Sequence, residues 1–211
     1  MAGPHPIPLK EHRLANGLRL ITVLDRTAPI ATVNIWYHVG SKDERPGRTG
    51  FAHLFEHLMF QGSANVSKAE HLSLIESVGG SANATTWLDR TNYFATVPAE
   101  WVELVLWMEA DRLGTLLAAL DQANLDNQRD VVKNERRWSV DNQPYGGLSE
   151  VIFDKAFTTH PYKHPPIGSM ADLEAASLAD VRDFHRTYYV PENATLTLVG
   201  DFDVAQASQL V

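Results

Sequence analysis

The chain has 211 residues, 44% of them hydrophobic and 21% charged, a composition typical of a soluble globular protein with one large domain or two small ones. The formal net charge of −8 argues against nucleic-acid binding, which favours surfaces rich in Lys and Arg. The absence of cysteine excludes disulfides, thiolate catalysis and Cys-ligated metal, so a metal site must use histidine and carboxylate ligands. There is no apolar run of about 18 residues that would predict a membrane span, and the first twelve residues, MAGPHPIPLKEH, lack the apolar centre of a signal peptide.

The chain is predicted to open with sheet. Residues 12–24 alternate around Asn16-Gly17, which favours a hairpin with a two-residue turn, and residues 30–39 are rich in β-branched and aromatic side chains. A second hairpin is predicted from residues 81–87 and 91–97, with a tight turn between them. A last strand is predicted over residues 194–199.

Helices are predicted between and after these strands. The first contains HLFEH, and the second runs from about Lys68 to Val78 after a Ser67/Glu70 capping box. The remaining predicted helices are residues 98–120, a following helix to about 138, residues 147–157, and residues 178–188 after a Ser177/Asp180 cap. Asp203 is expected to cap a further helix, inside which the sequence stops. This organisation predicts a single α+β domain, with a mainly antiparallel sheet and helices on one face, over residues 1–211.

The segment TGFAHLFEHLMFQGS carries its polar and apolar residues on opposite flanks of a helix. At about 100° per residue, His53, Glu56 and His57 lie opposite the apolar residues. A simple interpretation is a solvated helix face, and an H-x-x-E-H pattern arises by chance in roughly a few chains per hundred. The functional interpretation is that two histidines at i and i+4 can converge on one Zn²⁺, while Glu56 accepts a proton from an activated water.

HLFEH is the inverted zinc-protease motif. Its surroundings resemble the pitrilysin/insulinase (M16) metallopeptidases, in particular the bacterial relatives of the mitochondrial processing peptidase. The resemblance extends over nearly the whole chain, through GSKDERPGRTGFAHLFEHLMFQGS, GGSANATTWLDRTNYFATVP, WMEADR, VVKNERRWSVDNQPYG, HPY and YYVPENATLTLVGDFD. It implies the M16/LuxS-like metallohydrolase fold and one zinc ion per chain.

The resemblance also implies that Glu135, in KNERR, is the third zinc ligand beside His53 and His57. From the residues alone, Glu135 is an exposed helix glutamate that pairs with a neighbouring base, and Glu109 and Asp111 are competing carboxylates expected to form salt bridges. Family members often carry an acidic residue about two turns before this glutamate, where this chain has Gln128. The other histidines considered, His71, His160, His164 and His185, lack partners at ligand spacing.

The strand at residues 81–87 acquires a role through the same resemblance. In similar enzymes this strand is an exposed edge to which the substrate peptide adds, which makes Asn83, Ala84 and Thr85 candidate substrate-binding residues. The alternative is an ordinary paired strand in which Asn83 serves a turn. Trp87, Trp101 and Trp107 are expected in the core.

The predicted function is zinc-dependent endopeptidase activity on extended peptides, with Glu56 as the catalytic base. The resemblance implies a second homologous M16 domain or subunit as partner, and this chain as the N-terminal zinc-binding domain of a longer protein. The alternative is a non-catalytic scaffold or substrate-presenting subunit of the same family. The sequence leaves the compartment open between a bacterial cytoplasm and periplasm.

Overall fold

A six-stranded sheet forms the centre of the fold in the computed structural model, which describes residues 7–205 and 207. The strand order is β1-β2-β6-β3-β5-β4. All neighbouring pairs are antiparallel except β2 and β6, which run parallel. The strands are β1 Leu9–Arg13, β2 Arg19–Leu24, β3 Ile30–Tyr37, β4 Ser81–Thr86, β5 Thr91–Pro98 and β6 Ala194–Gly200. The predicted α+β class with a mainly antiparallel sheet is confirmed.

Seven α-helices accompany the sheet between residues 7 and 203. They are α1 Phe51–Leu58, α2 Glu70–Ser77, α3 Val102–Ala119, α4 Gln122–Arg136, α5 Leu148–Ala156, α6 Met170–Glu174 and α7 Leu178–Tyr188. Sequence analysis did not predict α6. Residues 204, 205 and 207 are helical, as expected after Asp203, and the rest of that predicted helix lies outside the described residues. No described helix is both long and apolar enough to cross a bilayer.

One face of the sheet is buried and the other is partly exposed. Alternate residues of β3, namely Ala31, Val33, Ile35 and Tyr37, are at most 3% exposed and belong to the main core. Helix α3 contacts β3 and β5, while α1 contacts β4 and β5. The other face mixes polar and apolar residues: the hydroxyls of Thr32 and Thr96 are 2.8 Å apart, and Ile30 and Trp36 are exposed. This alternation explains why the helices cover one face.

The first hairpin differs from its prediction in the turn. The amide of Leu14 donates to the carbonyl of Leu18 at 2.9 Å, which leaves three residues, 15–17, in the turn instead of two. A two-residue type I′ turn requires positive φ at both central residues, but only Gly17 (φ 91°) adopts it here. Gly17 is therefore the left-handed residue that ends a three-residue turn.

The start of α2 also differs. The helix begins at Glu70 after Ala69, which has a φ of 73°. Only one half of the predicted capping box forms, a 2.7 Å bond from the Ser67 amide to Glu70 Oε2. By contrast, both bonds of the Ser177/Asp180 box at α7 are present.

The expectation that three tryptophans lie in the core is wrong. Trp87, Trp101 and Trp107 are 53%, 41% and 47% exposed. The largest buried aromatic side chains are instead tyrosines: Tyr37, Tyr93 and Tyr189 are at most 2% exposed and pack ring against ring within a mainly aliphatic core. Trp101 directly precedes α3, and Trp107 lies on the solvent-facing side of that helix.

Candidate metal centre

Helix α1 presents its polar residues as the sequence predicts. Phe51, Leu54, Phe55, Leu58 and the following Met59 are at most 5% exposed. Between them, His53, Glu56 and His57 are only partly buried. The helix is therefore anchored in the core by one flank and offers the other flank to the site.

Helix α4 brings a carboxylate to the two histidines. It begins at the Asp121 cap, whose side chain accepts from the amide of Asn124, and Glu135 lies in its last turn. Glu135 Oε2 is 3.3 Å from His57 Nε2, and Glu135 Oε1 is 3.6 Å from His53 Nε2. The two Nε2 atoms are 3.3 Å apart. The structure thus brings together residues that are far apart in the sequence.

The separation of the two Nε2 atoms fits a tetrahedral ion. Zinc with ligand bonds of about 2.0–2.1 Å holds its ligand atoms about 3.3–3.4 Å apart, the edge of the tetrahedron. Two imidazoles and one carboxylate are also a donor set found at catalytic zinc sites. Among the described residues, these three form the one cluster of potential metal ligands, with all donor atoms within 4.8 Å of one another. The cluster matches zinc in both donor chemistry and spacing.

The electrostatic environment favours the protonation states that bind metal. Burial, together with the neighbouring His57, lowers the pKa of His53 to about 4. A hydrogen bond from His57 lowers the pKa of Glu135. A neutral imidazole and an ionised carboxylate are the forms that coordinate metal. Side-chain exposures of 14% for His53, 23% for His57 and 39% for Glu135 leave the cluster open to solvent on one side.

Glu56 lies beside the cluster and is held by a different partner. The Thr86 hydroxyl donates to Glu56 Oε2 at 2.5 Å. Thr86 itself lies 3.3 Å from the hydroxyl of Thr91, which donates to the carbonyl of Val39. Burial raises the pKa of the Glu56 carboxyl, and the bond from Thr86 opposes that shift. A carboxyl with a raised pKa next to metal ligands is suited to exchange protons.

The competing carboxylates lie elsewhere. Glu109 is buried and forms a salt bridge with Arg112 at 2.5 Å, as expected. Asp111 forms hydrogen bonds rather than the expected salt bridge, accepting from Asn65 at 2.6 Å, Thr115 at 3.1 Å and the Ser63 hydroxyl. Gln128, two turns before Glu135, is buried in α4.

The other four histidines considered have separate environments. His71 is buried, and His160 accepts from the amide of Tyr162 at 3.2 Å. His164 lies 3.5 Å from Glu44, while His185 stacks on Tyr189 with the ring centres 6.1 Å apart. None of them belongs to the metal-ligand cluster in the described part of the chain.

Strand β4 is an edge strand that runs towards Glu56. It pairs only with β5 in the described sheet, and its last residue, Thr86, holds Glu56. Asn83 and Thr85 are exposed and Ala84 is buried. The side-chain oxygen of Asn83 accepts from the amide of Ala84 at 2.8 Å. The predicted substrate residues therefore lie on an open edge, but one amide there already has a partner.

Sequence reasoning missed Glu44, which caps α1. Its carboxylate, with no exposed surface, accepts from the amides of Gly50 at 2.9 Å and Ala52 at 2.7 Å. Burial raises the pKa of Glu44 to about 8, against the opposing effect of those amides. Because Glu44 precedes the helix by seven residues, it does not have the spacing of a helix cap, and no local signal reveals it.

Comparison with known proteins places the chain in a family. The family model described as Insulinase (Peptidase family M16) matches residues 19–168, and the model described as Peptidase M16 inactive domain matches residues 175–211. The chain belongs to peptidase family M16. The two matches divide one sheet, because β6 lies in the second match and pairs with β2 and β3 in the first.

Relatives of this M16 chain are called zinc proteases. It is 36% identical over 198 residues to the zinc protease PqqE of Helicobacter pylori, covering 93% of this chain and 44% of that protein. A crystal structure of a protease from Helicobacter pylori has a TM-score of 0.93 at 34% identity, over 98% of this chain and 49% of the other. The crystal structure of the first half of the periplasmic protease PqqL from Escherichia coli has a TM-score of 0.85 at 25% identity, over 100% of this chain and 46% of the other.

The chain spans about half the length of the curated relatives it matches. Its family supports peptidase function and its relatives' names imply zinc, in agreement with the predicted family, fold and class of enzyme.

Proposed function

We propose that this chain is the zinc-binding, catalytic domain of an M16 endopeptidase. The observation that carries the proposal is the convergence of His53, His57 and Glu135: one donor atom from each lies within 4.8 Å of the others, and the two Nε2 atoms are 3.3 Å apart, the edge length of a zinc tetrahedron. Three protein ligands leave a fourth position for water or substrate, as catalytic zinc sites require. A scaffold member of the family has no need of this arrangement.

When bound, zinc supplies Lewis-acid chemistry, polarising the scissile carbonyl and making water acidic enough to react near neutral pH. Glu56 takes the proton from the attacking water and later delivers it to the leaving amine. The Thr86 hydroxyl engages Oε2, which orients the carboxylate and leaves Oε1 to accept the proton. His53 is kept neutral by its lowered pKa, and both histidines lie on a helix anchored by its apolar flank.

The substrate we propose is an extended peptide that pairs with the free edge of β4. Main-chain bonds to an edge strand supply affinity without requiring one sequence. Asn83, Ala84 and Thr85 line that edge. A peptide that uses the Ala84 amide must displace the Asn83 side-chain oxygen, so Asn83 is expected to exchange an internal bond for one to substrate.

We further propose that the domain works with a second homologous M16 domain, in the same chain or in a partner. The greater length of the relatives and the similarity to the first half of PqqL support this arrangement. In the domain alone, Glu135 and the β4 edge face solvent on one side, so water competes with every polar contact to the transition state. The isolated 211-residue chain is therefore expected to cleave unstructured peptides slowly, and efficient Glu56-dependent turnover by it would contradict the need for a second domain.

Metal analysis and three variants test the central proposal. The purified chain should hold about one zinc ion. Glu135→Gln should lower zinc affinity by more than about 100-fold, since changes to residues that only support the ligands already lower metal affinity by about 10- to 100-fold. Glu56→Gln should keep the metal and abolish cleavage of a fluorogenic peptide. His57→Ala serves as the reference for complete loss of the site. If Glu56→Gln loses zinc as fully as His57→Ala, the roles are wrongly assigned.

A further inference from the structure

Helices α1 and α4 carry the metal ligands, and one short segment contacts both of them. That segment is residues 167–172, which ends in the first turn of α6. Its contact with α1 is close: Gly50, the N-cap of α1, has a φ of 84°, and a Cβ placed on Gly168 would come within 2.3 Å of the Gly50 backbone. The two backbones can approach this closely only because both residues are glycines.

Hydrogen bonds fix the same segment to the start of α1. The amide of Thr49 donates to Asp172 Oδ2 at 2.9 Å, and the amide of Ser169 donates to the Thr49 hydroxyl at 3.1 Å. The start of α1 is thus tied to residues 168–172 at several points within a few residues of His53.

Arg136 ties the same segment to α4. It is the last residue of α4 and directly follows Glu135. Its guanidinium donates to the carbonyl of Gly168 at 2.7 Å and also pairs with Glu150 on α5. The side chain is 12% exposed, and Asp141, at the end of a five-residue π-helical turn, lies 3.4 Å away.

We propose that Arg136 is a positioning residue, which sets the distance between the Glu135 carboxylate and the two histidines through Gly168. The proposal rests on the metal site described under the proposed function. Glu135 is the last residue but one of α4, where the backbone changes from α-helical to π-helical, so α-helix geometry alone does not fix its carboxylate. A metal site needs its ligands held within about 0.5 Å of their working positions.

Three variants of the 211-residue chain separate positioning from plain stability. Arg136→Gln removes the bond to Gly168 together with the ion pairs. Glu150→Gln removes one ion pair of Arg136 and leaves the carbonyl bond. Arg137→Gln is the matched control, because Arg137 is the adjacent arginine, is exposed, and bonds only to Asn134 among the described contacts.

Zinc affinity is measured by competition with a chromophoric chelator, and metal-free stability by urea unfolding in excess chelator. The visible spectrum of the Co²⁺-substituted chain gives a third readout, since it reports coordination geometry rather than stability. We expect Arg136→Gln to lower zinc affinity by about 10- to 100-fold and to alter the Co²⁺ spectrum. Glu150→Gln should lower stability yet bind zinc within about threefold of wild type, and Arg137→Gln should change neither property.

Wild-type zinc affinity and an unchanged Co²⁺ spectrum in Arg136→Gln would overturn the proposal. So would an equal loss of affinity in Glu150→Gln, because the ion pair would then be the cause. If Arg136→Gln does not fold, Arg136→Lys decides: lysine keeps the charge but cannot reach both partners, so weaker zinc binding supports positioning and wild-type binding refutes it. Failure of the wild-type chain to bind zinc would refute the proposed function instead.

Discussion

His71 should make the metal-free protein sensitive to acid. The side chain lies on α2, is 5% exposed and meets Phe60 edge-on, with the ring centres 5.8 Å apart. Burial, and to a lesser extent the positive charge of Arg112, lower its pKa from 6.5 to about 3. A histidine with a lowered native pKa stabilises the fold above its unfolded pKa, and that stability is lost as the pH falls from about 6.5 towards 3.

The size of the effect depends little on the native value. A pH of about 5 lies about 1.5 units below the pKa of the unfolded histidine, which is therefore mostly protonated, whereas the native ring is still neutral. At about 1.36 kcal/mol per pH unit, His71 lowers the free energy of unfolding by roughly 2 kcal/mol at that pH, against about 0.2 kcal/mol at pH 7. Any native pKa below about 4 gives nearly the same result.

Urea unfolding of wild type and His71→Leu at about pH 7 and pH 5, in excess chelator, measures this contribution. The chelator prevents metal loss from contributing, and the difference between the two pH values cancels the packing cost of leucine. The wild type should lose about 2 kcal/mol more than the variant between these pH values. Exposed His12 provides the control, and His12→Leu should keep the wild-type dependence. An equal loss in His71→Leu and wild type would refute the reasoning.

Two further predictions concern polar contacts between side chains. Arg112→Met leaves Glu109 buried without its partner and should cost about 3–5 kcal/mol in urea unfolding, while Glu109→Leu/Arg112→Met should recover most of that loss. A double variant no more stable than Arg112→Met would contradict this account. Thr86→Val removes the bond to Glu56 and should lower kcat by about tenfold, leaving zinc affinity unchanged, while Thr86→Ser retains activity. Zinc loss in Thr86→Val would assign Thr86 to the metal site instead.

Sequence predicted best what depends on local pattern. The α1 face, the β4/β5 hairpin and the Ser177/Asp180 capping box each follow from residues a few positions apart. The Asn16-Gly17 turn was predicted with the wrong length, because the dipeptide is compatible with both turn types and the flanking backbone decides between them.

What the sequence could not reveal depends on packing between distant segments. The exposure of Trp107 follows from how α3 lies on the sheet, and the helix pattern does not fix that orientation. Thr86 contacts Glu56 directly, while Glu44 and Arg136 bond to backbone groups near the start of α1 and of α6, and no sequence pattern predicts these contacts. Glu135 was reached only through family resemblance, since by itself it is one of many helix glutamates.

The position of β6 has a consequence for how the chain folds. β6 lies between β2 and β3 and joins two otherwise separate pieces of sheet, the β1–β2 hairpin and the β3–β5–β4 group. Its partner β2 precedes it by about 175 positions, as in the pair Arg19 and Thr195. Closing such a long loop is slow, because the chain loses conformational entropy before the contacts between the two strands form. On the ribosome, the edge that we propose for peptide binding and both ligand-bearing helices are made well before the strand that completes the sheet. Nascent chains that stop short of residue 194 should therefore expose unpaired strands and depend on chaperones.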